Sequence, residues 1–489
     1  MGEETIISEE YVPISAKVNL SIGGFANNVL NGFVFANITF YYTEKLGADP
    51  SLIAIAWLLF AVWNTLNDPI ISYIIDNTRT KIGRRIPYIR YGSLFYGLAF
   101  IFCWFPIASI GDDWGLFFNF LLALFLLDTM FTIVGCCFYC LPNEVAITAK
   151  QRANINLYMT VAMAGHVVLG IVLPILLLTG QVGVHPLFFP LMVFIGLGCS
   201  LLLFISSYGI KENMFAQMQP HEGFFEGLIL TFKNKAFWIF AVPAFCVNLL
   251  FPILQTGILY YIDYIVGDQN MIPFLITLLI GLIIGAIITF TKIESWGPKK
   301  VMMTNLILLA LGFSLLFFIG RNVLASAVPY GLIGLGIVGA VIGIGVIAGD
   351  CIDNDELITG KRREAVYGGV NAIVTKPSMS IANWIFLGVI ELFGFIEPIV
   401  VNDMTIKQPQ SDLTLMGLLL AFGLIPAILF LLSAIALHWY PLAGPEWRKK
   451  KKYIMELHDK KEKEYFQKLV AEGKIQTEGT KSKKKKNQS

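Results

Sequence analysis

The chain has 489 residues, of which 56% are hydrophobic and only 14% are charged, and its mean hydropathy is +0.68. This composition excludes an ordinary soluble domain and indicates a polytopic membrane protein. The formal net charge of +2 says little about partners, because a Lys-rich tail supplies much of the positive charge. We therefore expect a lipid bilayer around the chain and no nucleic acid.

Apolar stretches of about 20 residues or more, long enough to cross a bilayer, recur along the chain. Six are predicted near residues 17–43, 52–76, 88–109, 114–141, 153–180 and 185–208. After a polar interval, six more are predicted near residues 236–265, 271–292, 300–320, 323–350, 366–396 and 411–440. The expected fold is an all-α polytopic membrane protein with twelve transmembrane helices in two six-helix bundles.

The two bundles divide the chain into five segments. They are an N-terminus at 1–16, an N-terminal bundle at 17–208, a central loop at 209–235, a C-terminal bundle at 236–440 and a Lys-rich tail at 441–489. Basic residues lie in alternate connections, such as Arg79/Lys81/Arg84/Arg85, Lys150/Arg152, Lys292/Lys299/Lys300 and Lys361/Arg362/Arg363. The positive-inside rule therefore predicts that both termini are cytoplasmic, in a protein of the cell membrane. In the tail, apolar residues spaced among charged ones predict an amphipathic helix, and the run Lys483–Lys486 follows it.

The second apolar run is the most informative part of the chain. Asp68 lies deep inside it, and an ionised side chain at that depth should face a water-filled path or a partner. Asn64 lies four residues earlier and shares a helix face with Asp68. A basic turn follows, with Gly83 for the bend and Pro87 to start the next helix. We predict that Asp68 and Asn64 handle a cation.

The fourth apolar run contains a second candidate carboxylate. Asp128, Thr132, Gly135 and Tyr139 have the spacing of one helix face. Asp128 is near the middle of the span and is a candidate for cation coupling. The alternative is a protonated carboxyl that only bonds a neighbouring helix.

Lys376 is the strongest single candidate for a functional residue. It lies well inside the eleventh apolar run, where an ammonium needs an anionic partner, a carbonyl cage or water. Pro377 follows it, lacks an N–H and displaces the carbonyl of Ile373, which loosens the helix beside the ammonium. The alternative is that Lys376 extends along the helix to the membrane surface.

Neutral polar side chains are candidates for substrate binding. Amides can bind sugar hydroxyls or a cation, but they also bond neighbouring helices, and both readings stay open. The candidates are Asn28 and Asn31 of the first helix, and Gln255 and Tyr260 of the seventh. The tenth helix is rich in glycine, which permits close helix packing.

Several motifs in order resemble those of one transporter family. Asp76 beside the basic turn resembles the gate motif of the major facilitator superfamily. The narrower resemblance, which runs from about the first helix to the twelfth, is to the glycoside–pentoside–hexuronide:cation symporters. Its motifs are Tyr41-Tyr42-Thr43, Asn67-Asp68-Pro69, Asp76-Asn77-Thr78-Arg79, Gly83-Arg84-Arg85-Ile86-Pro87-Tyr88, Leu141-Pro142-Asn143-Glu144, the acidic segment Asp350 to Glu364, and Lys376.

This resemblance implies the major facilitator fold and alternating access, with a sugar bound between the bundles and a coupled Na⁺ or H⁺ on the N-terminal bundle. By position, Asp68 matches a cation-site carboxylate and Lys376 matches a functional lysine. Tyr139 matches an aromatic residue that lies against the sugar. The expected function is that of a cation-coupled symporter of a sugar or glycoside, active as a monomer.

The chain also departs from the family pattern. Asn28, Asn64 and Gly135 stand where the melibiose-transporting members of the family have acids. A Na⁺ site needs several oxygen ligands with negative charge, so coupling to H⁺, or no coupling, replaces Na⁺ coupling as an alternative. Asp128 is a candidate substitute for the missing acid. A lysophospholipid or other amphiphile carrier of the same fold is the alternative function.

A charged gate is expected on the cytoplasmic side. Its basic turn would pair with acids of the opposite bundle and close that side. The candidates are Asp76, Arg79, Arg84, Arg85, Asp350, Asp353, Asp355, Glu356 and Glu364.

Two other classes of function, an enzyme and a non-transporting sensor, can be compared with the residues. An enzyme is not expected, because the 5 His are scattered and no nucleophile–base pair is evident. The 7 cysteines lack the spacing of metal ligands, so we expect no metal and no cofactor beyond a coupling ion. A non-transporting sensor derived from a carrier stays an alternative, although Asp68 and Lys376 argue against it.

Overall fold

The structure is a computed structural model that describes residues 12–146, 149–180, 183–210, 234–267, 272–360, 364–401 and 404–471. Within these residues, ten helices are long and apolar enough to cross a membrane. They correspond to all the predicted spans except the first and the fifth, which are also helical here. The prediction of an all-α polytopic membrane protein is therefore confirmed, while the count of twelve spans stays a prediction.

Within the described residues, the first half of the chain contains six helices. Acidic caps begin two of them: Asp49 Oδ1 accepts from Ser51 N at 2.7 Å, and Asp112 Oδ1 accepts from Gly115 N at 3.0 Å. The bounds are α1 Ile14–Phe40 with a π-helical turn Tyr41–Lys45, α2 Pro50–Asn77, α3 Ile86–Trp104, α4 Asp113–Val145, α5 Ala149–Leu178 and α6 Phe188–Gly209.

The second half has helices, a short hairpin and a tail helix. The eleventh predicted span is divided at Lys376 into two helices. The bounds are α7 Lys235–Tyr261 with a π-helical turn Ile262–Val266, α8 Ile272–Trp296, α9 Pro298–Ile319, α10 Ala327–Thr359, α11 Glu364–Thr375, α12 Pro377–Leu392, β1 Ile399–Val401, β2 Met404–Ile406, α13 Asp412–Leu419 with a π-helical turn Leu420–Leu424, α14 Ile425–His438 and α15 Gly444–Ala471.

Helices of each half pack mainly among themselves. In the first half α1 contacts α4, α5 and α6, and in the second α10 contacts α8 and α9. The glycine of α10 that was expected to allow close packing does so, because a Cβ on Gly334 would lie 2.4 Å from Leu278 O of α8. The two halves meet through α1 against α7 and through α2 against α12.

One face of the molecule carries a two-stranded hairpin, and we call it the hairpin side. β1 and β2 are antiparallel, with Val400 opposite Thr405. Val400 lies against Gly47 and Gly111, which belong to connections of the first half. The hairpin was not predicted, because its six residues are too short for a periodic signal and were assigned to a connection.

The opposite face carries the tail helix α15, and we call it the tail side. Trp447 and Ile454 of α15 are buried, while Tyr453 between them in sequence is exposed. Lys299 Nζ donates to His438 O at 2.8 Å and to Tyr440 O at 3.0 Å, which fixes the turn before α15. The predicted amphipathic helix is thus present; the run Lys483–Lys486 lies outside the described residues.

Candidate functional site

An ion pair joins the two halves in the middle of the molecule. Asp68 lies on α2, and Lys376 lies at the break between α11 and α12. Lys376 Nζ lies 2.5 Å from Asp68 Oδ1, and the two side chains are 21% and 20% exposed. Each charge therefore faces its partner from the opposite half, and both remain reachable by water.

A second carboxylate is connected to this pair by neutral side chains. Thr132 Oγ1 donates to Asp68 Oδ1 at 2.9 Å. Asn67 Nδ2 donates to Thr132 Oγ1 and to Asp128 Oδ2, each at 3.0 Å. We call Asp68, Lys376, Thr132, Asn67 and Asp128 the central site.

The helices explain why these side chains meet. Thr132 follows Asp128 by four residues, so both face α2 from one side of α4. Asn67 and Asp68 are adjacent, and their side chains reach the two α4 residues and Lys376 respectively. Both acids and the lysine were predicted from the sequence. Asn67 was not predicted as a site residue, although the motif Asn67-Asp68-Pro69 contains it.

The central site holds more negative than positive charge. It contains two carboxylates and one ammonium, and Asp128 and Asn67 are buried. A buried carboxylate without a cation is costly, so the arrangement suits a proton or a metal cation as a second positive charge. The described residues contain no group of three or more His, Cys, Asp or Glu that could hold a metal ion, so any metal cation here would also need amide and hydroxyl oxygens.

Amides predicted for substrate or cation binding differ in their surroundings. Asn64 is buried, and its Oδ1 has no hydrogen-bond partner among the described residues; the same holds for Oδ1 of the half-buried Asn31. Asn28 Nδ2 donates to Gly24 O of its own helix at 2.7 Å. Asn31 and Asn64 thus offer acceptors, and their role in binding stays a prediction.

A buried hydrogen-bond network crosses between the halves on the hairpin side of the ion pair. Asn383 Oδ1 accepts from Thr39 Oγ1 of α1 at 3.2 Å and from Thr256 Oγ1 of α7 at 2.9 Å. Trp57 Nε1 donates to Thr39 Oγ1 at 3.0 Å. The contacts among these residues were not predicted, because a single polar side chain in an apolar helix does not reveal its partner.

Tyr260, which was predicted to bind substrate, lies in the same closed region. Its hydroxyl lies 2.5 Å from Thr43 Oγ1, and its ring packs edge-on against Phe40 of the first half. This places Tyr260 in a contact between the halves, and its role in substrate binding stays a prediction. Gln255 is half-buried, and the side chain of Tyr139 lies outside the described part of the structure.

The residues predicted for the charged gate lie at the tail side. Arg84 and Arg85 are buried, as are Asp355 and Glu356, while Asp353 is half-buried and Arg79 is exposed. The side chains of Asp76 and Glu364 are outside the described residues. Pairing of these groups across the halves stays a prediction.

Asp350 differs from the rest of the predicted gate. Its Oδ1 binds Lys451 Nζ of α15, so the partner seen here belongs to the tail and not to the basic turn after α2. The reason is local: Lys451 follows Trp447 by one turn, and burial of Trp447 directs that face of α15 toward α10.

Comparison with known proteins identifies the family. Residues 20–444 match the family described as MFS/sugar transport protein. The uncharacterized symporter YnaJ of Bacillus subtilis is 25% identical over 470 residues, covering 93% of this chain and 97% of that protein. The isoprimeverose transporter of Lactiplantibacillus pentosus is 19% identical, covering 89% of this chain and 90% of the transporter.

A solved structure agrees on the fold. A mutant of the nucleoside transporter NupG superimposes with a TM-score of 0.59 at 14% identity, covering 86% of this chain and 99% of that chain. At this identity the likeness bears on the fold alone, and it is the major facilitator fold that the motifs implied. The chain therefore belongs to the MFS/sugar transport protein family, as the resemblance to glycoside–pentoside–hexuronide:cation symporters indicated, and is a multi-pass membrane transporter and not an enzyme.

Proposed function

We propose that this protein is a cation-coupled symporter that moves a sugar or glycoside across the membrane by alternating access. The observation that carries the proposal is the ion pair between Asp68 and Lys376, which joins the two halves. Relatives include an isoprimeverose transporter and a lactose permease, which supports a sugar as the solute.

Cation and solute movement are coupled because the cation and Lys376 compete for the carboxylate of Asp68. A proton or Na⁺ that binds Asp68 weakens its attraction for Lys376, because the carboxylate then carries less free charge. Asp128, joined to Asp68 through Asn67 and Thr132, adds negative charge and favours the cation. The released ammonium then becomes available to the solute or to the opening movement of the halves.

Asp128 also compensates for a missing acid. Asn64, one turn from Asp68, is neutral, and its unpartnered Oδ1 supplies an oxygen but no charge. With Asp128 on α4 in place of an acid at Asn64 on α2, the site still has two acids beside one lysine. The coupling ion is Na⁺ or H⁺, and no other cofactor takes part in the proposal.

We further propose that the tail side is cytoplasmic, in the cell membrane. The clusters of basic residues, including the turn with Arg84 and Arg85, lie in connections on that side, as the positive-inside rule requires, whereas Arg321 and Lys407 on the hairpin side are exceptions. The hairpin side then faces outward. The transporter is proposed to work as a monomer.

Uptake by proteoliposomes tests the coupling. Purified wild-type protein would be compared with Asp68→Asn under an imposed Na⁺ gradient, an imposed pH gradient and neither. We expect one gradient to accelerate wild-type sugar uptake, and Asp68→Asn to lose that acceleration. Asp412→Asn is the matched control, because Asp412 is an exposed acid whose partner Arg321 lies in the same half.

The outcome also identifies the ion and the solute class. Acceleration by a pH gradient alone indicates H⁺, and acceleration by Na⁺ alone indicates Na⁺. A panel of mono- and disaccharides should stabilise the protein against heating where lysophosphatidylcholine does not. Gradient-driven uptake that persists in Asp68→Asn, or uptake of the lysolipid alone, would contradict the proposal.

A further inference from the structure

The hairpin side is closed by a compact set of contacts between the halves. Its members come from the end of α1, the end of α7 and the segment that follows α12. They form an ionic layer, a tyrosine contact and a hairpin contact, and the predicted gate residues take no part in them. The closure lies outside the central site, so it has a role of its own.

The ionic layer is built on Asp263 at the end of α7. Asp263 Oδ1 accepts from Lys407 Nζ at 3.1 Å and from Gly180 N at 2.8 Å. The carboxylate side chain is 0% exposed. Lys407 belongs to the same half as Asp263, whereas Gly180 belongs to the first half. One carboxylate therefore holds a lysine of its own half and a backbone amide of the other.

The tyrosine contact lies beside this layer. Tyr264 OH donates to Glu44 Oε2 of the first half at 2.5 Å. Glu44 is buried, and its Oε1 has no hydrogen-bond partner within the described residues. The ring of Tyr264 lies 5.5 Å from Lys407 Nζ. A buried carboxyl group with so few hydrogen-bond partners depends strongly on the phenol, since losing that partner leaves a buried polar group unsatisfied.

The hairpin contact lies over the ionic layer and the tyrosine contact. Thr405 Oγ1 donates to Lys45 O at 3.4 Å. Gly47 and Gly111 have φ of +66° and +77°, and a Cβ on either would lie 3.1 Å from Val400. The first half thus presents two glycine turns into which the hairpin of the second half fits.

We propose that this set, which we call the outer lock, is a lid carried by the second half that holds the outward path shut. The Lys407–Asp263 bond lies within one half and survives opening, so it attaches the segment after the hairpin to α7. The bonds that break are those crossing the seam: Tyr264 to Glu44, Asp263 to Gly180, and Thr405 to Lys45. The proposal rests on alternating access as proposed above.

Spin-label distances test the lock independently of transport. Ile107 and Leu324 are exposed by 84% and 74%, lie in connections of opposite halves on the hairpin side, and are outside the lock. Cysteines there, in a protein with the seven native cysteines replaced, would carry the labels. Tyr264→Phe keeps the ring and removes the hydroxyl.

We expect Tyr264→Phe to raise the ratio of long to short distances about tenfold, as for the loss of one buried hydrogen bond. Glu44→Gln changes the other partner of the same hydrogen bond, and it replaces Tyr264→Phe in the experiment if that variant folds poorly. Arg321→Gln is the control, because it breaks an exposed pair within one half and should leave the distances unchanged. Unchanged distances in both lock variants would overturn the proposal.

A crosslink provides the complementary test. Cysteines at Lys45 and Thr405, oxidised across the seam, should stop uptake, and a reductant should restore it. Uptake that continues with the crosslink in place overturns the lock. Absence of uptake in the unmodified protein would instead count against the proposed function and leave the distance measurement to judge the lock.

Discussion

The ion pair of the central site makes the sharpest prediction, which is a double-mutant cycle with Asp68→Asn and Lys376→Gln. The Nζ–Oδ1 distance is 2.5 Å, and about four-fifths of each side chain is removed from solvent. Removing one partner leaves the other charge desolvated, and we expect a loss of about 2–3 kcal/mol after allowance for the exposed fifth. Removing both takes away the desolvated charges together, so the double variant should lie within about 1 kcal/mol of wild type.

The free energies would be measured on purified protein by reversible denaturant titration followed through tryptophan fluorescence. The expected coupling energy, which is the sum of the two single losses less the loss of the double variant, is about 4 kcal/mol. The double variant should stay inactive in uptake although its stability recovers. Arg321→Gln and Asp412→Asn form the control cycle, where side chains 50% and 91% exposed should couple by less than about 0.5 kcal/mol. Equal coupling in the two cycles, or additive losses at the central pair, would refute the reasoning.

Three further predictions concern other parts of the molecule. Asn383→Ala leaves two buried threonines without their acceptor and should lower stability by about 1–3 kcal/mol, measured in the same titration. Burial, followed by the carboxylates of Asp49 and Asp113, raises the pKa of Glu397 to about 6. The closed hairpin side therefore takes up a proton as external pH falls through about 6, so acid should favour closure in distance measurements, and Glu397→Gln should remove this dependence. Lys451→Ala should release the tail helix and speed its cleavage in limited proteolysis.

The membrane helices and the positions of the three ionisable residues of the central site could be predicted from the sequence. Hydrophobic length gives the spans directly, and an ionisable group inside a span points inward because lipid excludes it. Asp68, Asp128 and Lys376 were found in this way, and the structure brings all three together.

The contacts between distant segments could not be predicted in the same way. Asn383 and Thr39 are 344 residues apart, and each alone is an ordinary polar residue in an apolar helix. Tyr260 was assigned to solute binding, and its contact with Thr43 of the first half could not be predicted, because position on a helix does not identify the partner of a side chain. Asp350 was assigned to the gate because its charge fitted, whereas packing of Trp447 decided its partner.

The break in the eleventh span has a mechanical consequence. α12 has 16 residues, so it is a rod of about 24 Å. Its first turn follows the ammonium that binds Asp68, and its far end leads into the hairpin. Lys376 N still donates to Ala372 O at 2.9 Å, but Pro377 has no N–H to continue the helical hydrogen bonds, so a tilt of α12 about this point would move the hairpin further than it moves the first turn. In the transport cycle proposed above, ion binding at the centre and opening at the hairpin side would then be connected through one rigid helix and not through a relay of side chains.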